Sequence, residues 1–347
     1  MADSMATPAL TDILSSARVV SLPLRTRFRG VVDREVMLFE GPNGWAEWSP
    51  FLEYPDEEAA VWLSAAIEFA FGQLPEIRRE AVPVNATLPA IGQDQIEKVL
   101  AKFGDFSTLK IKVAEPGQSL NDDLQRVWAV RAAYPHARIR LDANGGYSVD
   151  EAMAVAGAMV ENGVPLDYLE QPVATIAEMA ELRLRLNRAG IGVANAKGVK
   201  VAADESVRKV TDPMAVVQAG AADILVLKAA PLGGISRAIS IAQQAGLPVV
   251  ISSALESSVG LSMGAHLAAA LPIHSANAPG GLAFDSGLGT ASLLAGDVTR
   301  EPLLPVDGFI EVRRVEVDPQ KLDVFEAEDH RIDWWIDRLD RAFKHLN

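Results

Sequence analysis

Charged residues stand where buried strands should carry none. In Lys110-Ile111-Lys112, Leu141-Asp142-Ala143-Asn144, Leu169-Glu170-Gln171-Pro172, Ala203-Asp204-Glu205-Ser206 and Leu225-Val226-Leu227-Lys228, an acid or an amine interrupts or ends a short apolar run. A lone Asp at a strand end usually caps a helix or a turn, and an isolated Lys-x-Lys usually reaches out to solvent. Five such segments in succession are different, because an uncompensated interior charge is costly. Together they specify a site.

The residue types narrow its chemistry. Asp142, Glu170 and Asp204 are hard oxygen ligands with no His or Cys nearby, a set that suits Mg²⁺ or Mn²⁺ and argues against zinc or copper. Three crowded carboxylates repel one another unless a divalent cation neutralises them. Lys110 and Lys112 are two apart on one extended segment, so they face the same way. Neighbouring ammonium groups beside a dication are expected to depress one another's pKa, leaving one able to act as a base. With Lys228 opposite, this is a layout for removing a proton α to a carboxylate, the metal stabilising the enediolate.

The elements that must hold these groups follow a rhythm. From about Pro83, short apolar segments alternate with longer helical stretches, and strands are expected at 84–88, 109–113, 139–143, 168–171, 200–203, 224–228, 249–252 and 274–276. That is a succession of βα units whose strands are buried on both faces, as in a (β/α) barrel, and no Gly-x-Gly-x-x-Gly turn follows the first strand to favour an open dinucleotide-binding sheet. All strands of a barrel end at one face, so the charges converge. Residues 1–82 read differently. Two extended segments flank Pro42-Asn43-Gly44 as in a hairpin, and residues 57–71 carry apolar residues at helical spacing, together an α+β unit. Residues 83–293 form the expected barrel. Residues 294–347, with an extended Phe309-Ile310-Glu311-Val312 and a Trp-bearing helix near 330–345, are expected to pack back on the first unit.

Composition excludes other classes. The chain has 347 residues, 49% hydrophobic and 22% charged, so it folds as an ordinary globular protein. Its 32 basic against 46 acidic residues give a net charge of −14, which disfavours nucleic acid and anionic membranes as partners and requires a local positive site for an anionic substrate. With no cysteine there is no disulfide or thiolate site. Met1-Ala2-Asp3-Ser4-Met5 has no basic start leading into an apolar stretch, and the apolar run 260–273 contains His266 and is too short to cross a bilayer. The expectation is a soluble, cytoplasmic protein whose oligomeric state the sequence does not fix.

The ordered set Lys110-x-Lys112, Asp142, Glu170, Asp204 and Lys228 resembles the muconate-lactonizing branch of the enolase superfamily, over almost the whole chain. The resemblance implies an α/β fold, a modified TIM barrel (β/α)₇β with an α+β capping domain formed by the N-terminal segment and the C-terminus, and a lysine base working with Mg²⁺. Within the branch, Leu22-Pro23-Leu24-Arg25-Thr26-Arg27-Phe28-Arg29-Gly30 and Pro83-Val84-Asn85-Ala86-Thr87-Leu88-Pro89-Ala90 resemble actinobacterial o-succinylbenzoate synthases, which serve menaquinone biosynthesis. This implies syn dehydration of 2-succinyl-6-hydroxy-2,4-cyclohexadiene-1-carboxylate to 2-succinylbenzoate, with aromatisation as a driving force. By position, Lys112 matches the lysine that takes the α-proton and returns it to the departing hydroxide. Lys228 matches the opposite lysine, which stabilises the enediolate in part by a cation–π contact. Lys110 would tune Lys112 and touch the metal-bound carboxylate.

Other residues are weaker candidates for holding the dicarboxylate. Arg140, two before Asp142, is expected to share its face and either pair with it or serve a structural ion pair. Asn144 either supports the site or simply forms the turn before Gly145-Gly146. Ser252, Ser253, Gly280 and Gly281 are expected at the ends of the last two strands, where they could hold a succinyl tail. Arg25, Arg27 and Arg29 form a basic cluster, either a lid or a surface stripe, and the five histidines fit no motif. N-succinylamino acid racemase or dipeptide epimerase chemistry uses the same groups, with both lysines as acid and base. A metal-free Schiff-base lyase on Lys228 and a non-catalytic barrel are more distant alternatives.

Overall fold

A computed structural model describes residues 8–28, 30–193, 198–208, 212–275 and 278–346. The chain opens with α1 (Leu10–Leu14), then an antiparallel sheet of β1 (Arg18–Phe28), β2 (Val31–Gly41) and β3 (Gly44–Trp48), followed by α2 (Asp56–Phe71). The expected hairpin is present, with Gly41 opposite Gly44 and Gly44 at φ +100°, a conformation open to glycine. Helix α2 starts after Pro55 with Asp56, Glu57 and Glu58 in its first turn, where the helix dipole favours acids. It buries Leu63, Ala66, Ile67 and Ala70.

Then follow β4 (Ala81–Pro83), β5 (Ala86–Leu88), α3 (Ile96–Leu100), β6 (Thr108–Lys112), α4 (Leu120–Ala133), β7 (Arg138–Asp142), α5 (Val149–Glu161), β8 (Leu166–Glu170) and α6 (Ile176–Arg188). The barrel continues through β9 (Val201–Ala203), α7 (Glu205–Arg208), α8 (Ala215–Gln218), β10 (Ile224–Leu227), α9 (Ala229–Leu232), α10 (Ile235–Ala245), β11 (Val249–Ile251) and α11 (Ser258–Ala270). Strands β5 to β11 form one sheet in chain order, every pair parallel. Helices α4, α5 and α6 each begin in a capping box, Ser119/Asp122, Ser148/Glu151 and Thr175/Glu178. Such caps satisfy free N–H groups and fix where each loop ends. Tyr168, Ala202, Ile224, Val226 and Val250 pack inside the curled sheet, against Phe284.

The eighth position differs from expectation. His274 and Ser275 form no strand, and Ala276 lies outside the described residues, as do Arg29 and the start of the chain at 1–7. Instead Ser286 bridges Val84 and Gly287 bridges Ser252, both in parallel sense. The bonds are Asn85 N to Ser286 O at 2.9 Å, Ser286 N to Pro83 O at 2.7 Å and Gly287 N to Ile251 O at 2.7 Å. Residues around Ser286 therefore join β11 to β5 and close the barrel. The apolar stretch before them misleads because it is helix α11 and the turn that follows it.

The chain ends with β12 (Phe309–Glu311), paired antiparallel to β4, then α12 (Pro319–Val324) and α13 (Asp329–Phe343). Trp335 stacks edge-on against Trp48 at 5.3 Å, and its Nε1 donates to Glu35 at 2.8 Å. Arg338 donates to the carbonyls of Phe51 and Tyr54. The last helix is thus anchored to the N-terminal sheet and the loop after it. Among the described residues no helix is long and apolar enough to cross a membrane.

Candidate active site

Strand register delivers the six charged residues to one end of the barrel. Lys112 pairs across the sheet with Asp142, and Asp142 with Glu170. Glu170 faces Ala202 on β9, and Asp204 stands two residues further along the chain. Lys228 follows β10 directly. All three acids are within 1% of fully buried, and Lys110 and Lys228 are buried as well.

Each carboxylate is met by cations. Lys110 Nζ lies 3.1 Å from both Asp142 Oδ2 and Glu170 Oε1 and so bridges them. Lys112 Nζ donates to Asp142 Oδ2 at 2.6 Å and to Asn144 Oδ1 at 2.5 Å. Lys228 Nζ donates to Asp204 Oδ2 at 2.6 Å, while Arg208 Nε holds the other oxygen at 3.0 Å. Burial works against ionising Asp142, but Lys112 and then Lys110 overcome it and hold its pKa low. Asp204 is likewise held low by Lys228 and Arg208 against its burial. Glu170 is pushed up to about 7, by burial first and then by Asp142.

Lys110 departs from expectation. Burial opposes the Lys110 charge, yet Glu170 and Asp142 outweigh it, so its pKa is raised rather than depressed. Lys228 is lowered, by burial first, with Asp204 only partly restoring it.

The ligand geometry differs too. Among the described residues no three acidic or histidine side chains are grouped closely enough to hold a metal as they stand, because the carboxylates are turned onto ammonium groups. The backbone and the donor set nevertheless fit a hard divalent cation. Asp142 and Glu170 are direct cross-strand partners on strands that run about 4.8 Å apart, so side-chain rotation alone can bring their oxygens together. Burial first and then the neighbouring Asp142 raise Glu170, and Glu205 Oε2 is buried with no hydrogen-bond partner.

Above these groups lies a cavity of about 30 Å³ walled by Lys110, Lys112, Asp142, Asn144, Lys228, Ser252 and Ser253, with Phe28 and Phe51 reaching in from the N-terminal unit. A neighbouring cavity of about 170 Å³, with Arg27 and Glu115 in its wall, shares Phe28, Lys112 and Asn144. The Phe28 ring centroid is 5.5 Å from Lys112 Nζ. Ser253 Oγ donates to Gly287 O at 2.7 Å, and Leu255, at φ +65°, completes that wall.

Three weaker candidates fall elsewhere. Arg140 pairs in register with Lys110 and Tyr168, one layer below Asp142. It bonds Asp167 at 3.2 Å, Asn85 at 2.8 Å and Asp285 O at 2.7 Å and lies over Tyr168, so it is a structural group of the barrel interior. Gly280 and Gly281 precede the closing segment rather than follow it. They lie against Pro83 and Arg79, where strand β5 is approached, and not in the cavity walls. Sequence reasoning missed Phe28, Phe51, Tyr54 and Arg208. Only Arg208 had a local signal, its position four residues after Asp204 on a short helix.

Residues 19–70 match the family described as Enolase N-terminal domain-like, and residues 93–318 the one described as Enolase C-terminal domain-like. The muconate lactonizing enzyme from Pseudomonas fluorescens, solved with muconolactone, superposes with a TM-score of 0.71 at 21% identity, over 90% of this chain and 98% of that one. A probable mandelate racemase from Alicyclobacillus acidocaldarius gives 0.62 at 23% identity, over 90% and 95%. Fold and site together define a capped barrel enzyme of the enolase superfamily. The o-succinylbenzoate synthase of Mycobacterium ulcerans (strain Agy99) is 50% identical over 337 residues, 97% of this chain and 96% of that protein. That of Mycobacterium tuberculosis (strain H37Rv) is 50% identical over 339 residues, 98% and 97%. The chain belongs to the o-succinylbenzoate synthase family.

Proposed function

We propose that the chain is a carbon–oxygen lyase that dehydrates 2-succinyl-6-hydroxy-2,4-cyclohexadiene-1-carboxylate to 2-succinylbenzoate in menaquinone biosynthesis. The observation that carries this reading is half-identity over nearly the full length to o-succinylbenzoate synthases, in a chain whose charged strand ends all reach one cavity.

Lys112 is the base. Its amine takes the proton α to the substrate carboxylate, the ring C–O bond breaks, and the same nitrogen returns the proton to the departing hydroxide, so that one water leaves and the ring becomes aromatic. Lys228, across the cavity, holds its charge against the electron density that moves onto the carboxylate. Lys110 stays protonated between Asp142 and Glu170, where it helps hold Asp142 ionised and opposes the rise that burial and Asp142 impose on Glu170. Asp142, Glu170 and Asp204 would hold Mg²⁺, or Mn²⁺ in its place. When bound, this ion supplies positive charge that lowers the acidity barrier of the α-carbon. Asn144, Ser252, Ser253 and Arg27 line the space left for the succinyl tail. We place the enzyme in the cytoplasm, in keeping with an acidic chain that has no cysteine.

The test is an assay of the purified protein on the cyclohexadiene substrate beside N-succinyl amino acids, with and without Mg²⁺. Metal-dependent formation of 2-succinylbenzoate is expected. Turnover of N-succinyl amino acids alone would replace this reading with the racemase one.

A further inference from the structure

Arg208 is 7% exposed and commits every nitrogen of its guanidinium. Nε donates to Asp204 Oδ1 at 3.0 Å, Nη2 to Glu205 Oε1 at 2.7 Å and Nη1 to Tyr54 Oη at 3.0 Å. Two of these contacts lead to the lysines on either side of the cavity. Asp204 accepts Lys228 on its other oxygen at 2.6 Å. Glu205 Oε1 also accepts Asn144 Nδ2 at 3.2 Å, and Asn144 Oδ1 accepts Lys112 at 2.5 Å. An unbroken path therefore runs from Lys228 through Asp204, Arg208, Glu205 and Asn144 to Lys112.

The third contact comes from outside the barrel. Tyr54 lies between β3 and α2, its ring against Phe51 at 5.6 Å and Trp62 at 6.1 Å, and its carbonyl accepts Arg338 of α13 at 2.8 Å. Phe51 is itself part of the cavity wall.

We propose that Arg208 is a positioning residue that sets the two opposed lysines relative to each other, and that the Tyr54 hydroxyl locks it to the N-terminal unit. Glu205 and Asp204 face one planar fork, which fixes both carboxylates in a single geometry. A lysine at this position carries the charge but cannot serve three acceptors in that arrangement. Seating of the Phe51–Tyr54 loop and alignment of the reacting amines are thereby one event.

This inference rests on the dehydratase reading, so the experiment begins with wild-type turnover of the cyclohexadiene substrate. Its absence would overturn that reading and this inference with it. In an active background, Arg208→Lys is expected to lower kcat about 100-fold with KM within about twofold, since small misplacements of reacting groups cost rate more than binding. Mn²⁺ binding, followed by electron paramagnetic resonance, is expected to weaken about tenfold through the loosened Asp204. Tyr54→Phe keeps the ring and removes one bond. It is expected to lower kcat about tenfold with an unchanged melting temperature and to add nothing in the Arg208→Lys background, as for residues acting through one contact. Tyr54→Phe decides the matter if Arg208→Lys does not fold. Wild-type kcat in a folded Arg208→Lys or in Tyr54→Phe, a change confined to KM, or additive effects of the two would sink the strut while leaving the dehydratase intact.

Discussion

Lys112 differs from the other two lysines in what surrounds its nitrogen. It touches an acid and an amide, faces an aromatic ring, and borders both cavities. Replacing it with alanine should abolish dehydration while circular dichroism and the melting temperature stay near wild type. Near-normal turnover in that variant would remove its role as base. These six charged residues were legible in the sequence because each breaks an apolar run that strand burial demands. The height of a side chain within the barrel was not legible. Alternation tells which face a residue takes, and Arg140 shares the inward face of Asp142, yet the layer is fixed by pairing with Lys110 and Tyr168. The state of Lys110 escaped for a related reason. Its partner acids come from two other strands, and their distance to its nitrogen is a property of register.

At the level of elements, helix and strand boundaries followed periodicity and capping closely, whereas barrel closure did not. The closing segment Phe284-Asp285-Ser286-Gly287 has no apolar run and pairs through only two bridges, so no strand signal marks it. Its glycine is required by contact: a Cβ at Gly287 would sit 2.5 Å from Ser252 Oγ and 3.2 Å from its Cβ. Gly287→Ala should therefore destabilise the protein by about 1–3 kcal/mol, as overpacking does, and depress activity through Ser252. Gly157 is the opposite case. It lies inside α5 with nothing within 4 Å of an added Cβ, and Gly157→Ala should stabilise by about 0.5–1 kcal/mol. Urea unfolding of both variants checks the contrast, and equal signs would contradict it.

In the whole molecule, a buried acid is among the groups by which the N-terminal sheet grips the barrel. Glu47 on β3 accepts the backbone N–H of Ser257 at 3.0 Å and of Gly260 at 3.3 Å at the start of α11, and the Ser49 hydroxyl at 2.6 Å. Glu256 and Arg34 are the charged groups beside it, and Arg34 Nε also donates to Leu255 O at 3.3 Å. Burial first, then Glu256, push the Glu47 carboxyl up to about 7. The folded protein thus holds this proton more tightly than the unfolded chain does. The resulting stability is fully present below the ordinary carboxyl value and is lost as pH rises toward 7, about 3 kcal/mol over that window. Glu47→Gln should flatten the dependence of melting temperature on pH between 4.5 and 7. An unchanged slope would assign the effect to other acids. This coupling had no trace in the sequence, because its partners lie some two hundred residues apart and only the fold brings them together.

The sparse pairing at the barrel's closure bears on where the enclosure yields first. The β6, β7 and β8 staves are knit by five and four register pairs, while the stave at Ser286 is stitched by one bridge on each side. Local opening of the wall is therefore expected at this seam before the β6–β8 staves, on the side where Ser252, Gly287 and Thr290 border the reaction chamber. Deuterium should enter the amides of Asn85, Ser286 and Gly287 well before those of Ile111 and Leu141, and a product leaving the chamber would meet its softest boundary there.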